Sequence, residues 1–159
     1  MTFATTRFGQ IDCAEEDTFK IPDGFLGFPD FTEFVVINHK EGSPFRWIQS
    51  IEHPGLAFLV IEPCHILEAY APEISDADAQ KIQLNETSAQ IVYTIVSIPA
   101  GNPKAMTVNL AGPLVINADL QIGKQVVLTD DRWGTKHPIV QVGSAAVGTE
   151  SASTEKAAA

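Results

Sequence analysis

The sequence predicts a mostly β fold: a compact antiparallel domain of barrel or sandwich type, with one short helix and a flexible C-terminal tail. Three observations carry this expectation. Short β-prone runs recur along the chain, each closed by Gly, Pro or Asn. One stretch has the cap and charge pattern of a helix. Beyond Ile139 the bulky apolar residues give way to Gly, Ala, Ser, Thr and Glu. With 159 residues, 45% of them hydrophobic, the chain suits one domain with its own core. We place that domain at residues 1–139 and the tail at 140–159.

The elements follow in order. "TFATTRF" (2–8) ends at Gly9, and "TFKI" (18–21) runs into Pro22-Asp23-Gly24. Phe19 and Ile21 share one face opposite Thr18 and Lys20, the period of a half-buried strand. "FVVIN" (34–38) and "FRWIQS" (45–50) are joined by a hairpin-sized loop. "AFLVIE" (57–62) follows a turn in which Pro54 and Gly55 suit the central positions of type II. "QIVYTIVSI" (90–98) is apolar on both faces, as a central strand covered on both sides would be, although a buried helix has the same pattern. The last strands fall near 107–111, 114–117 and 124–129. Ser75 can cap a helix through "DADAQKI", with Asp76 and Asp78 in the first turn, where they complement the helix dipole.

Charge limits the partners. Ten basic against twenty acidic residues give a formal charge of −10, a field that repels nucleic acid and attracts basic proteins. Residues 1–89 hold fifteen of the acids and five of the bases, so steering comes from the first half. Cys13 and Cys64 lack a Cys-x-x-Cys spacing and fit a reduced, cytoplasmic protein. The N-terminus lacks the pattern of a signal peptide, and no apolar run approaches the roughly 20 residues of a membrane span.

The motifs of catalysis do not assemble. A phosphate loop ending at Gly123-Lys124 would need Gly and a hydroxyl where Ala118 and Gln125 stand, so the pair reads instead as a hairpin turn entering a strand. There is no Gly-x-Ser-x-Gly elbow, and Cys64 reads as a buried, inert thiol. The four histidines have no metal-ligand spacing, so no metal and no cofactor is expected. Asp130-Asp131 suit a polar turn better than an acid–base pair. Phe45, Trp47 and Gln49 share a strand face that is more often core than a stacking platform. A small-molecule-binding or hydrolytic barrel is the alternative, and would need Trp47, His53 and Glu62 to converge in a pocket.

Two stretches point elsewhere. "EPCHILEAYAPEI" (62–74) mixes acids with Ile66, Leu67, Tyr70 and Ile74 and has no regular period. It suits either a covering loop or an exposed apolar-acidic docking surface. In "MTVNLAGPLVIN" (106–117), Pro113 lacks an amide donor and Gly112 permits a bend, which predicts an interruption at a sheet edge. Asn109 and Asn117 flank it, either to satisfy the interrupted backbone groups or to face a partner, with the structural role favoured.

In order, "TRFGQID", "PDGFLGFPDFTEFVVI", "SPFRWIQSIEHPGLAFLV", "MTVNLAGPLVIN" and "GKQVVLTDDRWGTKHP" resemble the FliW family of flagellar assembly factors over residues 5 to about 138. Leu26, where members often carry Pro, and Trp133, where Tyr is common, are departures. The resemblance implies a barrel-like β fold, no enzymatic activity, and two protein partners: the translational repressor CsrA, which such proteins antagonise, and flagellin. CsrA is an RNA-binding protein, so the acidic field suits it. The partner surface is expected around Glu62, Glu68, Tyr70 and Glu73, and secondarily at Asn109 and Asn117.

Overall fold

The computed structural model describes residues 2–139. The expected tail at 140–159 lies outside them. Strands β1 (Thr2–Thr5) and β2 (Gly9–Asp12) form a separate antiparallel hairpin. The main sheet comprises β3 (Thr18–Lys20), β4 (Glu33–Asn38), β5 (Phe45–Ser50), β6 (Ala57–Ile61), β7 (Gln90–Ser97), β8 (Thr107–Asn117), β9 (Ile122–Gln125) and β10 (His137–Pro138). From β3 to β8 each strand pairs antiparallel with the next in sequence. β9 then pairs antiparallel with β8 and parallel with β3, so seven strands close into a barrel. Closure removes most of the free edges that an open sheet exposes. β10 adds to the other end of β8.

Alternation along the strands fills both sides of this wall. Phe19, Phe34, Ile48, Phe58, Val60, Tyr93, Ile95, Leu114 and Ile116 form one buried cluster from six of the seven barrel strands, which is the barrel interior. Phe25, Phe28 and Phe31 join it from the 21–31 segment, with Phe25 packed 4.3 Å from Phe58 between ring centroids. On the opposite face Phe45, Trp47, Leu59, Ile61, Val96, Val108 and Leu110 pack under Trp133 and Ile139. That second layer explains why the 90–98 run is apolar on both faces. It is a strand covered on both sides.

The helix α1 (Asp76–Lys81) starts as its sequence predicts, the Asp78 amide donating to the Ser75 hydroxyl at 3.1 Å. Gly24 adopts φ +67°, and a Cβ there would stand 2.4 Å from the Phe28 carbonyl oxygen, so only glycine fits this turn.

Several expectations need correction. The 2–8 run is not one strand: it breaks after Thr5, whose hydroxyl accepts from the Phe8 amide and donates to the Gly9 carbonyl. Gly123 and Lys124 lie within β9 and not in a turn, because the reversal occurs earlier, with Gln121 at φ 56°. The turn closed by the Leu56 amide on the His53 carbonyl (3.1 Å) is not type II, since Gly55 is not among the left-handed residues. Cys64 is exposed in a short 3-10 turn, Pro63–His65, and not buried.

The interruption in β8 is not at an edge. β8 has β7 on one side and β9 and β10 on the other. Between the pairs Tyr93–Leu114 and Ile95–Asn109, Thr94 alone stands opposite residues 110–113. This wide bulge lifts Pro113 out of the ladder with β7, where its missing donor would otherwise leave a gap. On the other side only carbonyls are required: Pro113 accepts from the Val126 amide at 2.9 Å, and Ala111 from the Leu128 amide at 2.8 Å.

Candidate partner-binding surface

The 62–75 segment is a strap over the outer wall, and its composition divides by direction. Ile66, Leu67 and Tyr70 turn inward against the outer-wall cluster. Glu68 and Glu73 are exposed. The apolar residues act as the covering loop, and the acids form a charged outer ridge. Tyr70 fixes the strap in place. Its hydroxyl donates to the Leu110 carbonyl at 2.6 Å, and its ring meets Trp133 edge-on at 4.8 Å. Burial pushes the Tyr70 hydroxyl far above its ordinary pKa, so it stays a donor at any physiological pH.

Asn109 meets the same bulge from within β8. Its Oδ1 accepts from the amides of Ala111 (3.0 Å) and Gly112 (2.9 Å), the donors that the broken ladder leaves over. Gln125 completes the clamp, with Nε2 donating to the Gly112 carbonyl at 3.0 Å and Oε1 accepting from the Leu26 amide at 2.9 Å. A proline at 26 would lack that amide. Sequence reasoning missed Gln125, since its partner Leu26 is 99 residues away and no spacing marks it.

Asn117 is buried at 1% exposure. Its Nδ2 donates to the carbonyls of Ile82 (2.9 Å) and Gln83 (3.1 Å), and its Oδ1 accepts from the amides of Asp119 and Leu120. It ties the end of α1 to the barrel and presents no polar group to the surface. Glu62 is half-buried on the other side of the strap's start, where its charge and that of Arg46 both reach the Tyr93 hydroxyl. Burial is the main cause of the raised Tyr93 pKa, with Arg46 opposing it and Glu62 reinforcing it.

Glu73 lines an open groove of about 470 Å³. One wall is Glu73, Ile74, Ser75 and Asp78; the other is Val127 to Asp130. Asp130 is held by Arg132 at 2.6 Å, a hydrogen-bonded pair that lowers the Asp130 pKa. Asp78 lies 3.6 Å from Lys124, which also pairs with Asp23 at 3.1 Å. Val127 is 62% exposed between these charges. Nothing in the sequence pattern set Val127 apart, because alternation predicts a strand there without showing which edge stays open.

Trp47, His53 and Glu62 have separate surroundings. Trp47 is buried in the outer-wall cluster, with Nε1 donating to His39 Nδ1 at 3.1 Å and Arg7 stacked 4.5 Å above its ring. His53 is exposed in its turn, against Phe31. Among the described residues no group of three or more His, Cys, Asp or Glu is placed to hold a metal, and no helix is long and apolar enough to cross a membrane.

Comparison with known proteins agrees with this geometry. The family model for the FliW protein matches residues 2–139, the whole described region. The chain is 38% identical to the flagellar assembly factor FliW of Leptospira biflexa, over 89% of this chain and 92% of that protein. It is 36% identical to the flagellar assembly factor FliW of Geobacter sulfurreducens over the full length of both. A crystal structure of a flagellar assembly factor FliW superposes with a TM-score of 0.80 at 30% identity, covering 89% of this chain and 98% of that one. Barrel closure, the strap and the clamped bulge are thus set in a sequence whose relatives share one name over nearly their whole length: the chain belongs to the FliW family.

Proposed function

We propose that this protein is a cytoplasmic, non-enzymatic flagellar assembly factor that binds the translational repressor CsrA and antagonises it, and also binds flagellin. On this reading flagellin export frees the protein to restrain the repressor, which couples flagellin translation to assembly. The observation that carries the proposal is the family match over residues 2–139. The physical form of the surface supports it. The acids of the strap, Glu68 and Glu73, are exposed while its apolar residues are spent on the core, leaving a surface suited to a basic, RNA-binding partner. The formal charge of −10 argues against direct contact with RNA.

Calorimetric titration with purified CsrA and with flagellin tests the proposal. Binding to both, with flagellin weakening the capture of CsrA, is the expected result. Binding to neither would overturn it.

A further inference from the structure

The groove beside Glu73 has an unusual wall. Residues 126 and 128 turn their amides toward β8, to Pro113 and Ala111. By the alternation of an extended chain, the amides of Val127 and Thr129 point the other way, into the groove. β3 covers this side of β9 only at its start, through the pair Lys20–Ile122. Among the described residues, no backbone group pairs with the amide of Val127 or Thr129. Among the described residues the barrel therefore closes at 122 and leaves a short free edge after Gln125.

We infer that this edge, residues 125–129, receives an extended basic segment of a protein partner by strand addition. The inference rests on the proposed role in protein binding and deepens it by naming a surface and a mode. A strand laid about 4.8 Å from the edge would pair with the free amides. The groove provides the space, about 470 Å³ open to solvent. Its lining sets the chemistry of the occupant: Glu73, Asp78 and Asp130 contribute carboxylates, and among the described residues no basic side chain lines it. Lys124 pairs with Asp78 and Arg132 with Asp130 from outside the lining; Arg132 also lies within electrostatic reach of Glu73, which among the described lining acids is the one without a direct ion pair. Val127 supplies an exposed apolar contact. An occupant that alternates basic and small apolar residues answers both features.

The test uses the full chain and an acetylated, amidated peptide of alternating Lys and Val. Amide hydrogen exchange is followed at Val127 and Thr129. The peptide should slow exchange at both amides, and Val127→Pro and Glu73→Lys should each weaken its binding about tenfold. A peptide N-methylated at alternate residues, offered to the unaltered protein, reads the same pairing should Val127→Pro fail to fold. Equal binding of the methylated and plain peptides would show simple charge attraction and overturn the inference. So would protection of both amides in the protein alone, which would assign the edge to the chain itself or to a second copy. Titration with CsrA and flagellin separates the two proposals: if both bind Val127→Pro as well as the unaltered chain, the edge is not their site and the regulatory role stands.

Discussion

Tyr70 and Leu110 stand forty residues apart in sequence and 2.6 Å apart in space, the hydroxyl of one donating to the carbonyl of the other. Through this bond the acid-bearing strap is fastened to the bulge of β8. The placement of Glu68 and Glu73 thus depends on a backbone irregularity in the barrel wall.

Replacing Tyr70 by Phe keeps the ring against Trp133 and removes only the donor. The carbonyl of the buried Leu110 then loses its partner, at a cost of about 1–3 kcal/mol. Urea denaturation of Tyr70→Phe should show a lower midpoint with an unchanged slope. An unchanged midpoint would mean that the strap is held by packing alone.

The two asparagines differ in which half of the amide they use, and aspartate separates them. Asn109 serves the bulge through its acceptor, so Asn109→Asp should change stability by less than about 1 kcal/mol, while Asn109→Ala strands two amides and costs about 1–3 kcal/mol. Asn117 also donates to two carbonyls. Asn117→Asp places a buried carboxylate against them and should cost more than about 2 kcal/mol. Thermal and urea melts of the three variants check this order.

Acid should destabilise the protein through carboxylates held below their usual range. The amides of Thr32 and Glu33 lower the pKa of Glu52 from 4.5, and Lys124, then Lys81, lower that of Asp23 from 3.8. A depressed folded-state pKa gives stability that is complete above the unfolded value and is lost as pH falls through the folded one. Stability should therefore be level in this respect above about pH 5 and decline below about pH 4.5. Both carboxylates are largely solvated, so each contribution is small. Glu52→Gln, which keeps the acceptor without the charge, should flatten part of that slope in urea melts from pH 5 to 2.

Reversing the exposed acids tests the surface without touching the fold. Glu68→Lys and Glu73→Lys should leave the melting temperature nearly unchanged and lower the association rate with CsrA several-fold, an effect that shrinks as salt is added. Stopped-flow measurements at two ionic strengths check both parts.

Local chemistry made much of this architecture legible in the sequence. Strands β3 to β7 follow from alternation and turn residues, and the start of α1 from Ser75 and its acids. The doubly apolar run at 90–98 announced a second layer beyond the barrel interior. The larger errors lie where distant segments decide. Pro113 reads as an edge residue because, by itself, a missing donor is cheapest at an edge. The barrel instead accommodates it by taking four residues out of one ladder and satisfying them with Asn109, Gln125 and Tyr70. Only Asn109 is near enough in sequence to be foreseen. The edge at Val127, open among the described residues, was hidden for a related reason: β3 is only three residues long, and a strand's length says nothing by itself of what its neighbour leaves uncovered.

Occupancy of this acidic surface by other proteins is what calorimetry of the full chain detects. Titration into CsrA, repeated with flagellin already bound, should show saturable binding that flagellin weakens by tenfold or more. No heat and no complex with either protein, at concentrations up to about 100 μM, would show that neither protein occupies this surface.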